Sequence, residues 1–197
     1  MSVIGAAIAF SLASVTYGTE AIASPRGNSD PASQVTTGHH DSVAIVRSVH
    51  GEITVTAARK SGFGPEATFS CTVDRDGHFS DGSGGFNLFG KWYFSASGRC
   101  TVVMGAISYF AGVYRDDGTA EDHISGDAPS VNVAGDSGDL SCAIGTSTPC
   151  IGAWTYHYQV YLLAPPNYGW NTWSSECTVD GGEPRLLKCQ AEWNFTL

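Results

Sequence analysis

The chain has 197 residues, with 10 basic and 19 acidic side chains and a formal net charge of −9. An acidic surface of this kind repels nucleic-acid phosphates and anionic membranes, so neither is an expected partner. The 24 glycines, the low charged fraction of 15% and the lack of a sustained helical apolar period argue against long helices and for short strands joined by turns.

Residues 3–15, VIGAAIAFSLASV, carry no charge and lead into AIAS at 21–24. Ala21 and Ala23 satisfy the A-x-A pattern, so residues 1–23 read as an export signal cut after Ala23. The run is too short to cross a bilayer comfortably, and no span is expected in the mature chain. It departs from the usual signal in having no lysine or arginine ahead of the apolar run; the alternative is a buried N-terminal strand or helix. Residues 24–41, SPRGNSDPASQVTTGHHD, are polar with two prolines and read as a flexible leader.

Ordered structure is expected from Ser42. Ser42–Val49 and Glu52–Ala58 read as two strands, with His50–Gly51 as their turn. ATFSCTV follows as a third, placing Phe69, Cys71 and Val73 on one face by the two-residue period. Residues 74–90, DRDGHFSDGSGGFNLFG, read as a glycine-rich loop. KWYFSASG and RCTVVMGAISYFAGVYR then resume strand patterning. The second is apolar on both faces, which suits a covered central strand or a bulge at Gly105. The stretch 116–130 reads as an acidic loop; from Asp116 to Asp139 there are seven acids and no lysine or arginine. SVNVAG, LSCAIG and WTYHYQVYLLA are further strands. In the last, Trp154, Tyr156, Tyr158 and Val160 share one face, and Thr155, His157, Gln159 and Tyr161 the other, a half-buried antiparallel pattern. Pro165–Pro166 ends it. SECTVDGG and LLKCQAEWNFTL form a last hairpin about Asp180–Gly181–Gly182.

The six cysteines are Cys71, Cys100, Cys142, Cys150, Cys177 and Cys189, with no CxxC among them. An even number in a chain with an export signal implies a disulfide framework. Sequence spacing admits many pairings; the sequential one is expected, because each pair then flanks a turn-rich stretch. The fold class is therefore all-β. We expect an antiparallel β-sandwich over residues 42–197 stapled by disulfides; the alternative is two small β-subdomains divided near 115–130.

Four stretches are candidate sites. GDSG at 135–138 poses a choice between a nucleophilic serine and a β-turn between VNVA and LSCAI, and turn-forming residue types favour the turn. GDSG resembles the start of the GDSGG motif of the trypsin-like serine proteases, and TTGHH at 36–40 is similar to their TAGHC. The resemblance would make Ser137 the nucleophile, His39 the base and the Gly135 and Ser137 amides the oxyanion hole. Two departures oppose it. Asp139 replaces a glycine, setting a carboxylate near the developing oxyanion, and His40 replaces the cysteine. The second stretch is DRDG at 74–77, which opens like an oxygen-rich calcium loop. Asp74, Asp76 and Asp81 are its candidate ligands, though His78 and the missing glutamate break the EF-hand pattern. Asp116, Asp117, Glu121 and Asp122 form a second calcium candidate. No cofactor is expected, with calcium the one candidate, and the alternative for both acidic stretches, a solvated charged turn, is the favoured one. The fourth stretch is PPNYGWNTW at 165–173. Tyr168, Trp170 and Trp173, with the amides of Asn167 and Asn171, suit a sugar ring or a proline-rich peptide; alternatively the two indoles cap the core.

Residues 141–190, SCAIGTSTPCIGAWTYHYQVYLLAPPNYGWNTWSSECTVDGGEPRLLKCQ, resemble small, secreted, uncharacterised disulfide-containing β-proteins of actinobacteria, and FSASGRCTVVMGAISYFAGVYRDDG is similar to strands of the same proteins. The resemblance implies export and a stapled β-fold, and no catalytic residue. With no coherent catalytic constellation in the sequence, the expected function is a secreted, non-enzymatic binding or surface-structural domain whose partner is an extracellular protein or glycan. The alternatives are a secreted hydrolase using Ser137 and an extracellular calcium-binding module.

Overall fold

A computed structural model describes residues 46–82 and 89–197. The expected signal and leader, with His39 and His40, lie outside the described residues. Ten strands run through these residues: β1 (Val46–Arg59), β2 (Thr68–Asp81), β3 (Phe89–Cys100), β4 (Ala106–Arg115), β5 (Glu121–Pro129), β6 (Val133–Ala143), β7 (Ala153–Leu163), β8 (Tyr168–Thr172), β9 (Cys177–Val179) and β10 (Leu186–Thr196). They form two five-stranded antiparallel sheets, β6-β3-β2-β1-β8 and β5-β4-β7-β10-β9. The expected all-β sandwich is the observed architecture, and the described residues share one core rather than two.

The two-residue period builds that core. Phe69, Cys71, Val73 and Phe79 of β2 and Trp92, Phe94 and Ala96 of β3 are buried. So are Ile107, Ala111 and Val113 of β4, and Trp154, Tyr156, Tyr158, Val160 and Leu162 of β7. Trp92 joins the sheets at one end, with ring centroids 5.3 Å from Phe79, 5.5 Å from Trp154 and 5.3 Å from Phe195. Trp154 hands its indole N–H to the Cys150 carbonyl at 2.7 Å.

The sequential disulfides form. Cys71–Cys100 and Cys177–Cys189 are directly opposed across β2/β3 and β9/β10, while Cys142–Cys150 ties β6 to the segment entering β7. Arg115 fixes that segment: Nη1 donates to the carbonyls of Pro149 at 2.6 Å and Ile151 at 2.7 Å, while Asp117 accepts from Nε and Nη2.

Several local expectations are corrected. His50–Gly51 is not a turn; β1 runs straight through it. Gly51 lies opposite Arg75, and a Cβ there would stand 2.9 Å from the Arg75 guanidinium, so the glycine makes room for a side chain rather than a bend. DRDGHFSD is strand rather than loop, paired on both sides by β1 and β3. The long run 99–115 is neither one central strand nor a bulged one. It belongs to both sheets, with residues 101–105 crossing between β3 and β4 and Met104 buried beneath the crossing. The acidic loop contracts to the hairpin turn 116–120, and Glu121–Pro129 is the edge strand β5.

Candidate functional site

GDSG is neither turn nor catalytic loop. It lies in mid-strand β6, where Gly135 faces Ser97 and Ser137 faces Ser95 of β3. Its glycines answer close packing. A Cβ on Gly135 would stand 2.2 Å from Ser97 Cβ, and one on Gly138 would stand 2.6 Å from the Phe94 ring. No histidine among the described residues bonds to Ser137. His78 is the nearest by register, but it sits on β2 with β3 between them and one row along, roughly 12 Å away backbone to backbone at the usual strand spacing and rise.

The same register gathers an unexpected set of side chains on the solvent face of this sheet. One row reads Asp76, Ser95, Ser137; the next reads His78, Tyr93, Asp139. All six project outward, opposite in parity to Phe79, Trp92 and Phe94. With Phe94 and Gly138 below them, they line an open trough of about 360 Å³. Ser95 and Ser137 are short beside Asp76, His78, Tyr93 and Asp139, so the two serines form the floor.

The walls are held in place. His78 Nδ1 lies 3.1 and 3.0 Å from the two Asp76 carboxylate oxygens, which fixes the ring and makes Nδ1 the donor. The imidazole stacks on Tyr93, with centroids 5.0 Å apart and planes 23° apart. Lys91 Nζ pairs with Asp139 at 3.2 Å and lies 5.9 Å from the Tyr93 ring centre. At the next row, Asp74 accepts from Ser97 Oγ at 3.3 Å and from Arg99 Nη2 at 3.1 Å. The hydroxyls of Tyr93, Ser95 and Ser137 make no side-chain hydrogen bond among the described residues, and Tyr93 is 38% exposed.

The acids proposed as metal ligands do not converge. Asp74 and Asp76 point outward from β2, whereas Asp81 has the opposite parity and is buried. Asp117 is held by Arg115, whose hydrogen bonds keep its carboxyl well below the usual range. Asp116 accepts from Thr155 at 2.9 Å, and Glu121 and Asp122 alternate along β5. Among the described residues no group of three acids, histidines or cysteines is placed to hold a metal ion.

PPNYGWNTW is not a projecting loop. Its centre is strand β8, entered through Asn167 with φ of 69°. Trp170 is 8% exposed, packs edge-on against Phe69 at 5.7 Å and donates its N–H to the Arg185 carbonyl at 2.8 Å. Trp173 is 44% exposed, so one indole caps the core and the other does not. Tyr168 accepts from Arg59 at 3.2 Å, and Asn171 Oδ1 accepts from Thr56 at 2.7 Å. These residues are committed to β1 and form no paired aromatic platform.

A second polar feature, inside the sandwich, had no signal in the sequence beyond the inward parity of Arg75. Its guanidinium lies 5.5 Å from the Tyr158 ring centre and 5.3 Å from that of Trp193. It pairs with Glu176 at 2.8 Å, and the other Glu176 oxygen accepts from the Tyr158 hydroxyl at 2.7 Å. Burial, reinforced by Glu176, pushes the Tyr158 phenol far above its ordinary range.

Together these features define a class: a disulfide-stapled antiparallel β-sandwich carrying a polar trough on one exposed sheet face. No family model, curated protein or solved structure matches the chain.

Proposed function

We propose that the protein is an extracellular, non-enzymatic binding domain whose binding surface is the trough over β2, β3 and β6. One observation carries the reading. Three hydroxyls without side-chain partners, those of Tyr93, Ser95 and Ser137, face a concavity whose neighbours are already locked by hydrogen bonds. A site whose walls need no rearrangement loses little entropy on binding. The rigid sheet beneath gives the precision that loops lack. The three disulfides belong to an oxidising compartment, which supports the extracellular assignment.

The test is binding of the oxidised protein to glycan and peptide arrays, beside a variant carrying Ser95→Trp and Ser137→Trp. Both positions lie on the solvent face, so the indoles fill the trough without entering the core. Binding that the variant loses supports the assignment; equal binding by both proteins refutes it. Covalent labelling of Ser137 by a fluorophosphonate probe would overturn the non-enzymatic reading.

A further inference from the structure

We infer that the ligand of the trough is a neutral saccharide, bound through its hydroxyl groups. This rests on the trough being the binding surface and adds the chemistry of what it takes.

Charge decides among the ligand classes. Two carboxylates border the trough, yet each already has a basic partner: Asp76 has His78 and Asp139 has Lys91. A cationic peptide would have to displace the hydrogen-bonded partner that each acid already holds. An anionic ligand would meet those same carboxylates, with Asp74 one row beyond, on a chain of net charge −9. An apolar ligand would bury the Ser95 and Ser137 hydroxyls without partners, a loss on every buried polar group.

A polyol meets none of these penalties. Serine and tyrosine hydroxyls both donate and accept, as sugar hydroxyls do. His78 keeps Nδ1 on Asp76, which leaves Nε2 to accept in the neutral ring. The paired carboxylates retain lone pairs that can accept further hydrogen bonds from vicinal hydroxyls. The volume of about 360 Å³ lies at the small end of small-molecule sites, about 300–1,000 Å³. Because the trough is open, a short saccharide or a stretch of a longer chain fits it better than an enclosed ligand would.

The test is amide chemical-shift mapping on the oxidised, isotope-labelled protein. The probes are cellobiose, maltose, lactose and N-acetylchitobiose at about 10 mM, a lysine-rich peptide and a sulfated disaccharide. The expected result is a saturable shift at Tyr93, Ser95 and Ser137 with at least one neutral disaccharide. Its affinity should change less than twofold between low and high salt, because a neutral ligand releases no counterions and meets no screened charge. Ser137→Ala and Tyr93→Phe should each weaken it about two- to tenfold, the worth of one hydrogen bond, with unchanged thermal midpoints. Shifts at these residues caused only by the lysine-rich peptide or the sulfated sugar overturn the saccharide and leave the trough as a binding surface. No shift there with any neutral disaccharide also overturns the saccharide. The trough itself falls only if the tryptophan-filled variant binds the arrays as the parent does.

Discussion

Replacing Glu176 by glutamine leaves the Arg75 guanidinium between the sheets without its carboxylate. Glutamine preserves shape and still offers an oxygen to the Tyr158 hydroxyl, so the change removes charge and little else. Arg75 has few other resources. Its Nε and Nη1 are buried with no hydrogen-bond partner, and its cation–π partners are the Tyr158 and Trp193 ring faces. Removing one partner of a fully buried pair costs about 3–5 kcal/mol. Here the side chains of Arg75 and Glu176 retain 12% and 26% exposure, so water screens part of the loss and about 2–3 kcal/mol is expected. For a domain of this size that lowers the melting temperature by about 4–12 °C. Thermal and urea unfolding of the oxidised protein, followed by tryptophan fluorescence, measure it. A double variant, Arg75→Met with Glu176→Gln, should recover most of the loss, because the guanidinium that needed the carboxylate is gone and glutamine still accepts from the Tyr158 hydroxyl. A melting shift under about 1 °C for Glu176→Gln would refute the argument that Arg75 depends on the Glu176 charge.

Trp170→Ala should cost about 3–5 kcal/mol as a large-to-small change in the core, whereas Trp173→Ala should stay within about 0.5 kcal/mol; equal effects in urea unfolding would contradict the different exposure of the two rings. Burial lowers the His157 pKa, so the folded state binds fewer protons there than the unfolded chain. Stability from this group is complete above the unfolded value of about 6.5 and declines as pH falls through the folded value. His157→Gln should therefore flatten the melting-temperature profile between about pH 7.5 and 5. Asp180 is held at about 2 by the Lys188 ammonium and by the Gly182 and Glu183 amides. An NMR titration should find it there, and Lys188→Met should move it up toward the ordinary carboxylate range. Loop entropy makes the Cys71–Cys100 bridge, with a separation of 29 residues, worth about 3.5 kcal/mol, against about 2.5 kcal/mol for Cys142–Cys150 at 8 residues. Paired replacement by serine should preserve that order.

The strands of the core were legible because burial alternates along them. WTYHYQVYLLA announces its inner and outer faces residue by residue, and β7 follows that reading. The disulfide pairing was legible for a related reason, since cysteines flanking turns become neighbours in a meander. Sequence misled at three places where glycine and aspartate stood inside a strand, at His50–Gly51, at DRDG and at GDSG. Gly51, Gly135 and Gly138 make space for Arg75, Ser97 and Phe94, and that demand exists only once the neighbouring strand is placed. The trough was missed for the same cause. Asp76, Tyr93 and Ser137 are far apart in the chain and meet only through the register of three strands. Ser137 and its neighbours drew attention as a motif, yet their environment is set by β3. Trp170 and Trp173 share a loop in sequence, but whether they face the same way depended on β8 joining β1.

The three disulfides join residues 71 to 100, 142 to 150 and 177 to 189, and these intervals neither overlap nor nest. A chain emerging N-terminus first into an oxidising space can therefore complete each bridge before the next pair of thiols arrives. At no stage must an early cysteine wait for a late partner while a wrong one lies closer. Correct pairing becomes a matter of order of arrival, with little need for an isomerase to reshuffle mistakes. Denatured and fully reduced protein loses that order, since all six thiols then compete at once. Refolding from that state should scramble bridges that synthesis in sequence would not.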